Sequence, residues 1–141
     1  MSKFYQWILV LPFVFFAVLM SANVNAEEEE EEQGEVQYIG LTPSFVTNYF
    51  SEGRRLRYLK ADISVRVRGQ EAADKVTHHM PYIRNDIVLL LSAQTDAGIS
   101  TYEGKEALRQ KALKAVQALM EKEEGKKLVD DLLFTSFVVQ R

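Results

Sequence analysis

The sequence predicts an α+β fold, an antiparallel sheet built from a hairpin and a C-terminal strand and packed with helices. Three observations predict it. Leu59, Ala61, Ile63, Val65 and Val67 alternate with Lys60, Asp62, Ser64, Arg66 and Arg68, which is the period of a strand with one face in a core. Residues 70–123 carry helical periodicity instead. The tail, residues 132–140, is again apolar and rich in β-branched and aromatic side chains. Strands and helices are thus segregated along the chain, which argues against a doubly wound sheet.

The elements follow in order. Tyr38, Ile39, Leu41, Phe45, Val46, Tyr49 and Phe50 form an aromatic and β-branched segment broken by Pro43, read as a strand over 44–50 with a short one before it. Ser51-Glu52-Gly53 is a turn, and Gly53 is free to take a positive φ. The alternating strand spans 55–68 and pairs with its predecessor as a hairpin, ending at Gly69. Residues 70–79 read as a helix with Ala72, Ala73 and Val76 on one side. Pro81 interrupts it, since proline lacks an amide proton. A second helix covers 81–93, so apolar at Ile83, Ile87, Val88, Leu89, Leu90 and Leu91 that burial on most sides is expected. Residues 96–100 read as a loop around Gly98. Ser100 and Glu103 fit a capping box for a long helix that runs to about residue 123, with Gly125 near its end. In the tail, alternation puts Phe134, Ser136 and Val138 on one face and Leu133, Thr135, Phe137 and Val139 on the other. Its natural partner is the long strand 56–68.

The 141 residues leave room for one domain. The start of the chain differs from the rest. Lys3 is the only charge before Glu27, and from Trp7 to Met20 every residue is apolar apart from Pro12. Small residues then lead to Ala26. This order marks residues 1–26 as a secretory signal peptide cleaved after Ala26, or as a short signal anchor. The apolar run falls short of the roughly 20 residues a spanning helix needs. Either outcome exports the remainder. Cysteine is absent, so the exported domain must be held by its core, without disulfides or thiolate zinc.

The net charge of −3 hides an asymmetry. Glu27 to Glu32 and Glu35 carry seven negative charges, and residues 27–35 read as an acidic, disordered linker. Residues 36–141 carry sixteen Lys and Arg against thirteen Asp and Glu. That small excess is far below what a nucleic-acid binder needs.

No catalytic constellation emerges. His78 and His79 are adjacent, and neighbours on a helix point about 100° apart, so they do not chelate one ion readily. They read as partly exposed imidazoles at a helix end. Asp130 and Asp131 are also adjacent and diverge on a strand, whereas a catalytic pair converges; they read as solvated residues ahead of the tail strand. No serine sits in a Gly-x-Ser-x-Gly elbow, and no glycine loop cradles phosphate. No catalytic, cofactor-binding or metal-ligating residue is therefore assigned. Arg54, Arg55, Arg57, Arg66 and Arg68 form the densest basic group. They are the candidate interaction surface, for an acidic partner or anionic lipid, against the simpler reading of a charged hairpin face.

Four runs in this order carry a resemblance. They are Leu56-Arg57-Tyr58-Leu59-Lys60, then Met80-Pro81-Tyr82-Ile83-Arg84 continuing through Ser92. Thr101-Tyr102-Glu103-Gly104-Lys105-Glu106-Ala107-Leu108-Arg109 follows, and Leu133 to Gln140 ends the series. Over residues 36–141 the chain resembles the FliL family of flagellar basal-body-associated proteins. The resemblance implies a non-enzymatic accessory of the flagellar motor, without cofactor, on the periplasmic side of the inner membrane. It implies association with the stator, support of rotation, swimming and swarming, a stomatin-like fold, and a ring-like homo-oligomer around the stator. The expected mechanism is mechanical: domains pack side by side through helix faces and the strand edge, and the closed ring braces the periplasmic part of the stator. The family usually keeps an N-terminal transmembrane helix behind a longer cytoplasmic start; the short segment here departs from that. A periplasmic lipid-binding or membrane-organising module is the competing expectation, with each basic residue near the surface adding about 1 kcal/mol.

Overall fold

The computed structural model describes residues 34–51, 53 and 55–140. The predicted export segment, Ala26 and the glutamate run, like Glu52 and Arg54, lie outside the described residues. Among the described residues, four strands and four helices follow in the order β1 (Val36–Gly40), β2 (Phe45–Phe50), β3 (Leu56–Arg68), α1 (Gly69–His78), α2 (Met80–Ser92), α3 (Asp96–Ser100), α4 (Tyr102–Glu124) and β4 (Val129–Val139). The fold is α+β, as the segregation of patterns predicts.

β3 is the spine of the sheet. It pairs antiparallel with β1 over Ser64–Arg68, with β2 over Leu56–Ala61, and with β4 over Leu59–Val67. A strand has two edges, so β1 and β2 share one edge and β4 takes the other. Leu41 N–H continues the β1 ladder to Ile63 O at 2.8 Å. The chain then bulges by two residues through a cis Thr42-Pro43 bond before β2 resumes. Arg84 on α2 holds this crossover, donating to Leu41 O and, at 2.6 Å, to Pro43 O, with its guanidinium 4.2 Å above the Phe45 ring. In the β2–β3 turn Gly53 sits at φ 87°, as expected for its position.

The alternation read in β3 is the alternation observed. Leu59, Ala61, Ile63, Val65 and Val67 are all buried and face Val76, Ile83, Ile87, Leu91, Leu108, Ala112, Val116 and Met120 in one core. Helices therefore cover one face of the sheet. Burial of each large aliphatic side chain there is worth about 1.5–3 kcal/mol.

Several expectations are corrected. Residues 96–100 form a short helix, not a loop. Thr95 Oγ1 accepts Gly98 N–H at 3.2 Å, and buried Ile99 anchors the turn. Ser100 ends that helix, so the cap of α4 is Thr101, whose Oγ1 accepts Gly104 N–H at 3.0 Å. The far end of α4 matches expectation, with Gly125 as a left-handed C-cap. The tail strand begins at Val129, three residues early, which brings Asp130 and Asp131 into β4. β4 also carries register shifts opposite Asp62/Ile63 and Arg66/Val67. The first is a bulge at Thr135, whose hydroxyl donates to Asp62 O at 3.2 Å. A bulge inserts one residue and so resets which face follows. Phe134 and Phe137 therefore both pack on the core side, with ring centroids 5.1 Å apart, instead of on opposite faces.

α2 is not buried on most sides. Ile83, Ile87 and Leu91 are buried, whereas Tyr82, Val88 and Leu89 are exposed. The sheet has only one face for helices, and α2 shares it with three others. Among the described residues no helix is long and apolar enough to cross a membrane.

Candidate interaction surfaces

The uncovered face of the sheet follows from the same alternation. Its register lines up Phe50 with Leu56, Asn48 with Tyr58, and Val46 with Lys60, which in turn faces Val138. Phe50 is 68% exposed and Val46 60%, with Leu56, Tyr58 and Val138 at 50–55%. Further along, Val36 and Tyr38 stand beside Arg68 and Arg66. Scattered exposed apolar residues are ordinary on a soluble surface, but contiguous ones mark contact surfaces. Here cross-strand pairing makes Val46, Phe50, Leu56, Tyr58 and Val138 one patch. A second apolar stripe lies on α2, where Tyr82 and Leu89 are seven residues apart and so share a helix face.

The structure divides the basic group of the hairpin. Arg57 lies on the core-facing side, and its Nη1 donates to Asp96 Oδ1 at 3.4 Å. Asp96 also accepts the Tyr49 hydroxyl at 2.9 Å. Burial pushes the Tyr49 hydroxyl pKa up, and the Asp96 carboxylate adds to the shift. Tyr49 therefore stays neutral and acts as a donor. Arg55 is exposed. Arg66 and Arg68 stand on the opposite face, at the far end of β3, beside Asp130. Nine residues of strand, roughly 30 Å, separate Arg57 from Arg66, so these side chains do not converge on one spot.

Asp130 and Asp131 diverge, as adjacent residues on a strand should. Asp130 takes Arg68 Nε at 2.8 Å, while Asp131 takes Arg109 Nη1 at 2.5 Å. Both are three-quarters buried and paired rather than solvated, because β4 starts early enough to include them. Arg109 also donates to Leu132 O at 3.0 Å and to both carboxylate oxygens of Glu106. With Gln117 Nε2 on Val129 O at 2.7 Å, it caps outward carbonyls of β4 from α4.

The Arg109 guanidinium holds the Glu106 carboxyl down at about 2, from 4.5. Because the folded value lies below the unfolded one, this pairing stabilises fully above pH 4.5 and is lost as pH falls toward 2. Glu106→Gln is expected to lower the urea midpoint most at neutral pH. The gap from the parent protein should close between pH 5 and about 2; a gap that stays constant over that range contradicts the assignment.

His79, expected to be partly exposed, is 8% exposed. It is the hinge between α1 and α2, and its backbone N–H bonds Lys75 O at 3.0 Å. Its Nε2 lies 2.7 Å from Glu124 Oε1, so that nitrogen carries the proton. Lys75 Nζ reaches the other Glu124 oxygen at 3.2 Å. The His79 hydrogen bond, then Lys75, lowers the Glu124 pKa. His78 is exposed and meets His79 edge-to-face at 4.9 Å. The pair is a structural clasp onto the end of α4. Among the described residues no group of three His, Asp or Glu could hold a metal ion.

Tyr82, Val88, Leu89 and the β2–β3 patch are exposed, contrary to the burial expected of so apolar a helix and unmarked as surface by the strand pattern. Their signal was present: α2 has apolar residues on more of its circumference than one core stripe requires.

The family model described as "Flagellar basal body-associated protein FliL" matches residues 38–140, from β1 through β4. The chain belongs to the FliL family. Among curated relatives, Flagellar protein FliL of Aquifex aeolicus is 31% identical over 100 residues, which cover 71% of this chain and 59% of that protein. The chain thus spans less than two thirds of that relative's length. Flagellar protein FliL of Escherichia coli K12 is 25% identical over 145 positions, covering 99% of this chain and 94% of the relative. The family match covers the same core-forming elements whose outward faces carry the apolar patches. Membership associates the FliL-family domain with the flagellar basal body.

Proposed function

We propose that this chain is a non-catalytic accessory of the flagellar motor, working by assembly on the periplasmic side of the inner membrane. Residues 1–26 export it, as a signal peptide cleaved after Ala26 or as a short anchor, and residues 27–35 are the acidic linker to the domain. The domain associates with the stator and with copies of itself in a ring that braces the stator's periplasmic part. The observation that carries this reading is the FliL match across residues 38–140. Two exposed apolar surfaces, on the outer sheet face and on α2, support contact as its mode of action. The described arginines of the hairpin are contact candidates at separate places: Arg55 near its turn, Arg57 at Asp96, and Arg66 and Arg68 at Asp130.

Deleting the coding sequence is expected to impair swimming and swarming while filaments still assemble. Full motility in the deletion strain overturns the reading. Restoring the gene with Leu89→Asp, which leaves the core untouched, should rescue motility poorly if α2 is a contact face.

A further inference from the structure

The corner between α4 and β4 carries a site distinct from the apolar faces. After the Gly125 cap, the chain turns through Lys126 and Lys127, and Val129 N–H bonds Lys127 O at 2.7 Å. That closes a three-residue turn with Leu128 at φ 56°. A branched side chain rarely adopts this left-handed region, and strained turns persist where surrounding structure enforces them. The enforcing contact is Gln117, whose amide holds Val129 O at 2.7 Å.

This turn forms one wall of a cleft of about 530 Å³, whose other walls include Arg66, Arg68 and Asp130. Its charges do not balance. Lys127, Arg66 and Arg68 supply three cations, and among the described residues Asp130 is the single carboxylate lining it. Asp130 Oδ2 is committed to Arg68 Nε at 2.8 Å. Arg66 Nε lies 3.8 Å from the same oxygen, beyond hydrogen-bond reach, and is buried with no hydrogen-bond partner among the described residues. A buried guanidinium N–H without an acceptor is costly. The Arg66 side chain as a whole is 34% exposed and lines the cleft.

We propose that this cleft is an oxyanion site for a phosphate-class group. Three cations against one carboxylate leave two positive charges, which a phosphate dianion neutralises and a lone carboxylate does not. Two guanidiniums supply planar forks that match phosphate oxygens, and Lys127 adds a mobile point charge. Leu128, half-buried, offers apolar surface to whatever carbon skeleton the phosphate bears. The phosphate can be free, or can be the diester of a lipid headgroup, whose single charge neutralises one of the two positive charges.

The test titrates the full-length protein with inorganic phosphate at constant ionic strength, with chloride as reference. The readout is the NMR signal of the Arg66 Nε–H and, in every variant, the backbone amide signal of Leu128 in the same cleft. A saturable shift with phosphate and none with chloride is expected. Arg66→Gln and Lys127→Gln should each weaken binding about tenfold, the loss of a charged hydrogen bond. Lys127 is exposed, so its replacement leaves the fold intact, and the exposed Lys111→Gln, away from the cleft, serves as an unaffected control. Co-sedimentation with phosphatidylglycerol vesicles, but not phosphatidylcholine vesicles, that disappears in Arg66→Gln identifies a headgroup as the source. Phosphate binding without vesicle binding identifies a free anion. An equal response to chloride, parent-like affinity in both variants, or no response to phosphate or vesicles overturns the site.

Discussion

Leu91→Ala is expected to destabilise the domain by about 2–5 kcal/mol, while Leu89→Ala, two residues away, stays within about 0.5 kcal/mol of the parent. Leu91 is 1% exposed and packs in the core with Ile83 and Ile87, so truncating it removes burial and leaves a cavity. Leu89 is 60% exposed, and alanine is at least as good a helix former. A domain of this size has about 5–15 kcal/mol of stability in total, so Leu91→Ala removes a large fraction. Its Tm should fall by at least about 8 °C, since each kcal/mol moves a 100-residue domain by about 4–8 °C. Thermal and urea unfolding of the two variants check this directly. Equal losses would mean that Leu89 is covered, and that α2 presents a different face from the one described.

That contrast shows where the sequence was legible. Strict alternation from Leu59 to Val67 survives intact because β3 is flanked on both edges, and a one-residue slip would turn every core side chain outward. Gly125 was legible because a left-handed C-cap favours glycine. The tail was legible as a strand but not in its faces. The Thr135 bulge arises from pairing with Asp62, a contact 73 residues distant that no local pattern encodes. The same holds for His79, whose burial depends on Glu124, 45 residues away. In α2 the apolar count was right and its meaning was not, because hydrophobicity alone does not say whether a residue meets the core or a partner. The split of the arginines was half legible. Arg57 falls on the same parity as the core residues, and Arg66 and Arg68 on the other.

The cap of α4 was misplaced by one residue for a reason that leads to the second large effect. Ser100 and Thr101 are adjacent hydroxyls, and Glu103 fits the capping box of the first. The third residue after Thr101 is glycine, and the structure shows why. A Cβ on Gly104 would lie 2.4 Å from Gly98 O, 2.9 Å from Gly98 C and 3.0 Å from Thr101 Oγ1. The backbone of α3 therefore crosses the first turn of α4 too closely for any side chain, and the cap that fits this crossing is Thr101. In an exposed helix, Gly→Ala stabilises by about 1 kcal/mol. Here overpacking against a backbone carbonyl costs about 1–3 kcal/mol, and displacing the Thr101 hydroxyl threatens a cap worth about 0.5–2 kcal/mol. The clash outweighs propensity, so Gly104→Ala is expected to destabilise by about 1–3 kcal/mol. Gly98→Ala is the matched control, since its Cβ meets Gln94 Oε1 and Thr95 Oγ1 at 3.4 Å, an ordinary contact. It should be neutral or stabilising by up to about 1 kcal/mol. Denaturant midpoints of the two variants decide the matter, and a stabilising Gly104→Ala would show that α3 does not cross α4 at this distance.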